Sequence, residues 1–274
     1  MRLINLMENT EGACALHAEH GLSIYVETDS HRLLVDTGAS EKTWENAARL
    51  GVDLTQIDTV FLSHGHYDHA GGILSFAAIN PKAKIYMHRL AGGDFYDVKG
   101  GGERYIGIDK EILKLPQCVL LAGDVRLDEE LSVFGNVTGR RKWPKSNLIL
   151  KKKLADSFEQ DSFTHEQYIV VEAEGKRILL SGCAHNGILN ILDRFRELYG
   201  GSPDLVISGF HMMKKESYDA GEVELIRDVA TELKDMDTIF YSGHCTGLPA
   251  FAIMKEIMGE KLQYMHSGDS LKTY

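Results

Sequence analysis

Apolar or alternating runs punctuate the chain at 2–6, 22–28, 31–36, 58–63, 83–88, 118–121, 167–173, 176–181, 204–208, 237–242 and 262–266, and each reads as a strand. LSIYVET and HRLLVDT, separated by Asp29-Ser30, have the pattern of a hairpin. YIVVEAEGKRILLSG is a clearer one, with Glu174-Gly175 at its turn. Helical spacing appears in EKTWENAARL, with Ser40 as its N-cap and Gly51 as its stop. It appears again over 73–79, 187–198, 216–233 and 248–258. Strands and helices interleave, yet hairpins occur as well. The pattern therefore predicts an α/β chain with mixed sheets and helices outside them, rather than a purely parallel doubly wound fold.

The stretch 89–165 breaks this rhythm. It is rich in Gly, Asp and Lys, and its periodicity is weak. KGGGERYIG at 99–107 is no phosphate loop, because it lacks the GK[ST] ending and does not join a strand to a helix. The expectation is a single domain over 1–274, with 89–165 an irregular insertion that covers the functional site.

Composition narrows the class. The 274 residues are 43% hydrophobic and 26% charged, as in a soluble globular protein, and can bury a sizeable core. Against 40 acidic residues stand 30 basic ones, a net charge of −10, which argues against nucleic acid as a partner. RRKWPK at 140–145 and KKK at 151–153 are local exceptions and read as a solvated loop and strand edge. No apolar run is long enough to span a membrane, and the opening MRLINLMENTEGAC is too short in apolar residues for a secretory leader. The cysteines at 14, 118, 183 and 245 are scattered, as reduced thiols are. The expected compartment is the cytoplasm.

The candidate chemistry lies at the ends of the apolar runs. FLSHGHYDHAGG (61–72) puts His64, His66, Asp68 and His69 directly after a strand, and LLSGCAH, VISGFH and FYSGH end later strands in His185, His211 and His244. A lone histidine at a strand end is more often a hydrogen-bonded packing residue than a ligand. Six of them just beyond the ends of buried strands are another matter, because loops converge there on a rigid frame. Imidazole is the commonest metal ligand at neutral pH, and the set suits a zinc-like ion. In an extended segment His64 and His66 share a face, while Asp68 and His69 follow where the chain turns. One strand end can thus feed two ions about 3.5–4 Å apart, the separation of two-metal hydrolytic sites.

HGHYDHAGG, with DTG upstream at 36–38 and the later strand-end histidines, resembles the metallo-β-lactamase superfamily over most of the chain. The resemblance implies a four-layer αββα sandwich with one or two ions at its edge, zinc in the first place and manganese or iron otherwise. It implies His64, His66 and a later histidine around one ion, Asp68, His69 and the last motif histidine around the other, with His185 and His244 the candidates for these places, and Asp36 hydrogen-bonded to the site without being a ligand. AEHGLSIYVET, SGCAHNGI, SGFH and SGHCTG resemble more narrowly the branch that contains the dihydropterin ribofuranosyl-aminobenzene 5′-phosphate synthases. One departure stands out. The strand end where the superfamily has a metal-bridging aspartate reads Ser181-Gly182-Cys183, so Cys183 is either a soft ligand or a small buried hydrophobe. Cys245 reads as packing, His20 as reaching the pocket from the first hairpin, and His165 as the surface start of a strand.

The resulting expectation is a metal-dependent hydrolase-type enzyme. Metal-bound hydroxide would attack an ester or phosphoester of a small, possibly phosphorylated molecule, with Asp68 and His211 as the catalytic side chains. A ribofuranosyl-transferring synthase is the alternative, and a Lys/Arg phosphate-binding set from 99–104 or 140–145 would favour it. A non-catalytic metal sensor is a further reading, since loss of the bridging aspartate could mean loss of activity. A diiron oxygen-reducing protein would need a carboxylate in place of His66, and a nuclease would need an added helical domain and a basic groove.

Overall fold

The computed structural model describes residues 1–13 and 15–273. Cys14 lies outside the described residues; Cys118, Cys183 and Cys245 are free thiols. Two seven-stranded sheets pack face to face. The first runs in the order 270–271, 2–7, 23–27, 32–35, 59–61, 84–88, 118–121, and the second in the order 262–264, 239–242, 205–207, 176–180, 168–173, 131–134, 125–126. Each sheet is antiparallel over one half and parallel over the other.

Both faces of each sheet are covered, and for this reason the strands read as near-continuous apolar runs. Leu205 and Ile207 enter the layer between the sheets with Ile24, Val35, Phe61 and Ile178, while Val206 points the other way, to the helices. On the outer face of the first sheet, helices Lys42–Arg49 and Ile73–Ile79 bring Trp44, Ala47, Ile73 and Phe76 against Leu34, Val60 and Ile85. On that of the second, Ile188–Tyr199, Ala220–Lys234 and Leu248–Met258 pack Phe195, Val229 and Met254 on Val170, Leu179 and Phe240. The layers are αββα, and burial of each of the Val, Leu, Ile, Phe and Met side chains among these contributes about 1.5–3 kcal/mol. No helix among the described residues is long and apolar enough to cross a membrane.

Three expectations need correction. Residues 89–165 are not irregular. Strands Phe95–Lys99, Gly102–Tyr105, Leu150–Leu154 and Ser157–Gln160 form a four-stranded antiparallel sheet of their own, and 118–121, 125–126 and 131–134 belong to the two main sheets. The small sheet escapes a periodicity reading because it is poorly buried; Gly102–Tyr105 is exposed throughout. Ser40 does not cap the first helix: its hydroxyl donates to Glu19 at 2.8 Å and the N-cap is Glu41. The helix expected over 216–233 begins at Ala220, because Asp219 and Glu222 close a capping box there.

Candidate metal centre

The parallel strands of both sheets deliver their carboxyl ends to one edge of the sandwich. Strand Thr59–Phe61 leads into Ser63–His69, Lys176–Leu180 into Cys183 and His185, Leu205–Ile207 into His211, and Ile239–Ser242 into His244. The turns are tight. Asp36, Ala184, His211 and His244 take φ of 61°, 52°, 51° and 48°, left-handed values that non-glycine residues rarely adopt and that gather where function demands them. Gly65 must be glycine, since a Cβ there would lie 2.2 Å from the Ala91 carbonyl oxygen. Gly182 lets its loop close on the first sheet, because its Cβ would meet Ser63 Oγ at 2.2 Å and His64 Nδ1 at 3.0 Å.

Each of four imidazoles is held by Nδ1 and leaves Nε2 free. His64 Nδ1–H donates to Ser63 Oγ (2.8 Å), whose hydroxyl donates to Asp36 Oδ2 (2.7 Å). His69 Nδ1–H donates to the same Asp36 oxygen at 2.6 Å. His185 Nδ1–H donates to Asn147 Oδ1, and His244 Nδ1–H to Asn9 Oδ1, both at 2.9 Å. The Nε2 atoms converge: His64 and His185 stand 3.3 Å apart, His69 Nε2 is 3.2 Å from Cys183 Sγ, and His244 Nε2 is 3.4 Å from Asp68 Oδ2. His66 joins them, its ring 4.6 Å from that of His64 and 4.9 Å from that of His185. His66 Nε2 and His244 Nε2 are buried without a hydrogen-bond partner. Lone pairs pointed at one another in a closed site leave unmet exactly what a divalent cation satisfies, so the donor set fits a metal.

Two groups of donors stand out, each with its atoms within 4.8 Å of one another: His64, Cys183 and His185, and His69, Cys183 and His244. Asp68 forms a third with His20 and His244, its Oδ2 lying 3.2 Å from His20 Nε2. Every candidate ligand from the sequence is thus brought to one place, with Asp36 behind His64 and His69. His20, half-exposed, lines the mouth of the site, and the His211 ring lies 4.1 Å from that of His185, tilted by 53°.

Electrostatics prepare the nitrogens for a cation. Burial drives His64 and His185 well below the ordinary histidine value, helped by neighbouring imidazoles, and takes His66 down to about 3 and His244 to about 4. These rings are neutral at pH 7, with lone pairs available. His69 differs: burial opposes its charge, but Asp36 and Asp68 outweigh that and raise it. Burial disfavours the Asp68 carboxylate too, yet His69, His20 and His244 hold it well below the usual carboxylate range.

Several residues that brace the candidate site carried no signal in the sequence. Buried Glu8 accepts from the His244 backbone N–H (2.5 Å) and Tyr264 hydroxyl (3.0 Å), and buried Glu166 from the backbone N–H groups of His185 (2.6 Å) and Asn186 (2.8 Å). With Asp36, which accepts from Ser63 N–H at 2.7 Å, they give the loops of His64, His185 and His244 a carboxylate anchor each. His165 is not a surface residue. It is 1% exposed, its Nδ1 accepts from Gly65 N–H at 3.0 Å, and its Nε2–H donates to Asp161 Oδ2 at 3.1 Å. Residues 145–147 tie the 89–165 segment to the site: Ser146 Oγ donates to the His211 carbonyl at 2.5 Å and Asn147 Nδ2 to that of His185 at 2.7 Å.

The sequence profile of the metallo-beta-lactamase superfamily matches residues 18–224. The chain belongs to that superfamily. An uncharacterized protein of Methanocaldococcus jannaschii is 27% identical to this superfamily member over 279 residues, 97% of this chain and 98% of its own. The 7,8-dihydropterin-6-methyl-4-(β-D-ribofuranosyl)-aminobenzene-5′-phosphate synthase of the same organism is 25% identical over 280 residues, 93% of this chain and 90% of its own. Among solved structures, Tm1679, described as a metal-dependent hydrolase of the β-lactamase superfamily, superposes with a TM-score of 0.82 at 28% identity, covering 99% of this chain and 98% of the other. Zn²⁺-bound PqqB from Methylobacterium extorquens shares the metallo-β-lactamase fold at a TM-score of 0.59 and 14% identity, covering 99% of this chain and all of its own.

Proposed function

We propose that this superfamily member is a metal-dependent hydrolase-type enzyme that cleaves an ester or phosphoester of a small phosphorylated molecule. The observation that carries the reading is a cationic cleft opening on the histidine cluster. A cavity of about 960 Å³, room for a small molecule, is lined by His20 and His211 at one end and by Lys99, Arg104, Lys142, Lys145, Lys214 and Lys215. Only three carboxylates, Asp97, Glu216 and Glu222, line it with them. In a chain of net charge −10, that is a local reversal of sign and suits an anion. Lys99, Arg104 and Lys214 pair with those carboxylates, and Lys142 with Asp228 and Glu232. Among the described residues, Lys145 and Lys215 form no ion pair within 4.0 Å and are the cations left to meet a phosphate.

His64, His66 and His185 would hold one ion and Asp68, His69 and His244 the other, zinc being the ion that best suits so many imidazoles. The chemistry a divalent ion supplies here is a lowered water pKa and polarisation of the scissile carbonyl or phosphoryl bond. The chain's own residues do the rest. Asp36, Asn147 and Asn9 fix the tautomers of His69, His185 and His244, so that Nε2 stays the donor atom. Burial, with His244 beside it, lowers His211 to about 3, so its neutral ring hydrogen-bonds a substrate oxygen rather than protonating it. Asp68, held ionised, serves as ligand and accepts from His20; its low basicity makes it a poor proton acceptor.

A panel of phosphoesters and neutral esters, assayed with zinc-, manganese- and iron-loaded protein, tests the reading. Turnover of phosphorylated esters, abolished by chelator and weakened in Lys145→Ala, is the expected result; preference for neutral esters contradicts it. A synthase is the second reading, favoured by likeness to the named synthase over 93% of the chain and by the same cationic wall. Release of diphosphate coupled to bond formation, without ester hydrolysis, would select it.

A further inference from the structure

We propose that the Cys183 thiolate is a metal ligand shared by both halves of the centre. The proposal rests on the metal-dependent reading above and adds to it the group that joins the two donor sets. Cys183 Sγ lies within 4.8 Å of the donor nitrogens of His64 and His185, and equally within 4.8 Å of those of His69 and His244. Among the described residues no carboxylate does the same. Asp68 Oδ2 meets His20, His244 and His69 at 3.2, 3.4 and 3.7 Å, all on one side of the centre, and Asp161 groups with His66 and His165. The residue that links the two sets is therefore a cysteine.

Other observations point at the same spot. His244 Nε2, in one of the two groups, is buried with no hydrogen-bond partner. Cys183 is 3% exposed and is aimed inward by its turn, between Gly182, which packs against His64, and Ala184 with its positive φ. Its distance of 3.2 Å to His69 Nε2 is short for sulfur packed only as a hydrophobe. The strand between those of His185 and His244 ends in His211, so that strand brings no carboxylate into the gap. Cys245 has a different part: its Sγ–H donates to the Cys183 carbonyl oxygen at 3.5 Å, and it groups with Cys183 and His211 but with neither of the two main sets.

Coordination of a divalent ion converts a cysteine from S–H to thiolate, with the proton released to solvent, as it does to thiols generally. With Asp68, the thiolate places two negative charges among otherwise mostly neutral imidazoles. A thiolate also biases the centre toward zinc, iron or cobalt and away from magnesium or manganese.

The test is cobalt titration of metal-free protein, reading the near-ultraviolet sulfur-to-cobalt charge-transfer absorption in wild type, Cys183→Ser and Cys245→Ser. The proposal expects the band in wild type and in Cys245→Ser and its loss in Cys183→Ser. That variant should still bind cobalt through its imidazoles, about tenfold or more weakly. Zinc-edge X-ray absorption of the wild type needs no variant and should show a sulfur neighbour at about 2.3 Å. Cobalt bound without the band, a band that survives Cys183→Ser, or zinc with no sulfur neighbour overturns the shared thiolate while leaving the metal centre intact. A wild type that binds no cobalt overturns the metal-dependent reading with it.

Discussion

Asp36→Asn isolates the anchor behind the first ligand loop. The substitution keeps the shape of the side chain, and asparagine tolerates the φ of 61° at this position, so the backbone contributes little to the difference. What changes is the acceptor set. Asp36 is fully buried and accepts from Ser63 N–H through Oδ1, and from Ser63 Oγ–H and His69 Nδ1–H through Oδ2. An asparagine best keeps its oxygen at the Oδ2 position and must then turn its NH₂ against the Ser63 N–H. One buried donor left unpaired costs about 1–3 kcal/mol, and the two surviving bonds lose their charge assistance, about 1 kcal/mol more. A net loss of about 3 kcal/mol lowers Tm by about 6–12 °C at this chain length. Loosening His64 and His69 should also weaken metal binding by about 10- to 100-fold. Thermal unfolding of the metal-free protein, followed by a zinc competition titration, reads both effects. If Asp36→Asn melts with the wild type and binds zinc as tightly, Asp36 does not organise the site and the reasoning fails.

Lys145→Ala should raise KM for a phosphorylated substrate about 5- to 30-fold with little change in kcat, because a charge-assisted contact worth about 1–2 kcal/mol is lost away from the reacting bond; steady-state kinetics at two salt concentrations would show it. Gly65→Ala should cost about 1–3 kcal/mol or more, since the new Cβ meets the Ala91 carbonyl, and it should lower metal content as well as Tm. The metal-free protein should lose stability as pH falls from 6.5 toward 4. His66 and His211 are held near 3 and His244 near 4 when folded, so in this window the unfolded chain binds more protons, at up to about 1.4 kcal/mol per pH unit for each histidine. His69, raised because Asp36 and Asp68 outweigh its burial, contributes with the opposite sign: its stabilisation is complete below 6.5 and fades as pH passes its raised value. The lowered group also includes His64 and His185, so the net slope should stay positive; urea unfolding in chelator that shows stability flat or rising toward pH 4 contradicts this.

The layered architecture was legible because burial on both faces of a sheet leaves long apolar runs. Leu205, Val206 and Ile207 are all buried, yet face two different layers. The candidate ligand histidines were legible for a related reason: a strand end is visible as the place where an apolar run stops, and the run positions whatever follows. The small sheet left no such trace, because Gly102–Tyr105 is exposed and Leu150–Leu154 carries three consecutive lysines. The anchors were hidden differently. Glu8, Asn9, Asn147 and Glu166 are single polar residues whose roles depend on partners far along the chain; Asn147 meets His185 38 residues later, and Glu8 meets His244 236 residues later. Nothing local distinguishes His165 from a surface histidine until the fold brings Gly65 and Asp161 to its two nitrogens.

The central claim is that these converging nitrogens exist to hold metal, and the metal content of purified protein tests it most directly. Plasma mass spectrometry of wild type, beside His185→Ala and His69→Ala, should find divalent ions retained through gel filtration in the wild type, close to two per chain, and markedly fewer in each variant. A folded wild type that carries no divalent metal, and whose Tm does not move when zinc, manganese or iron is added, would contradict the account.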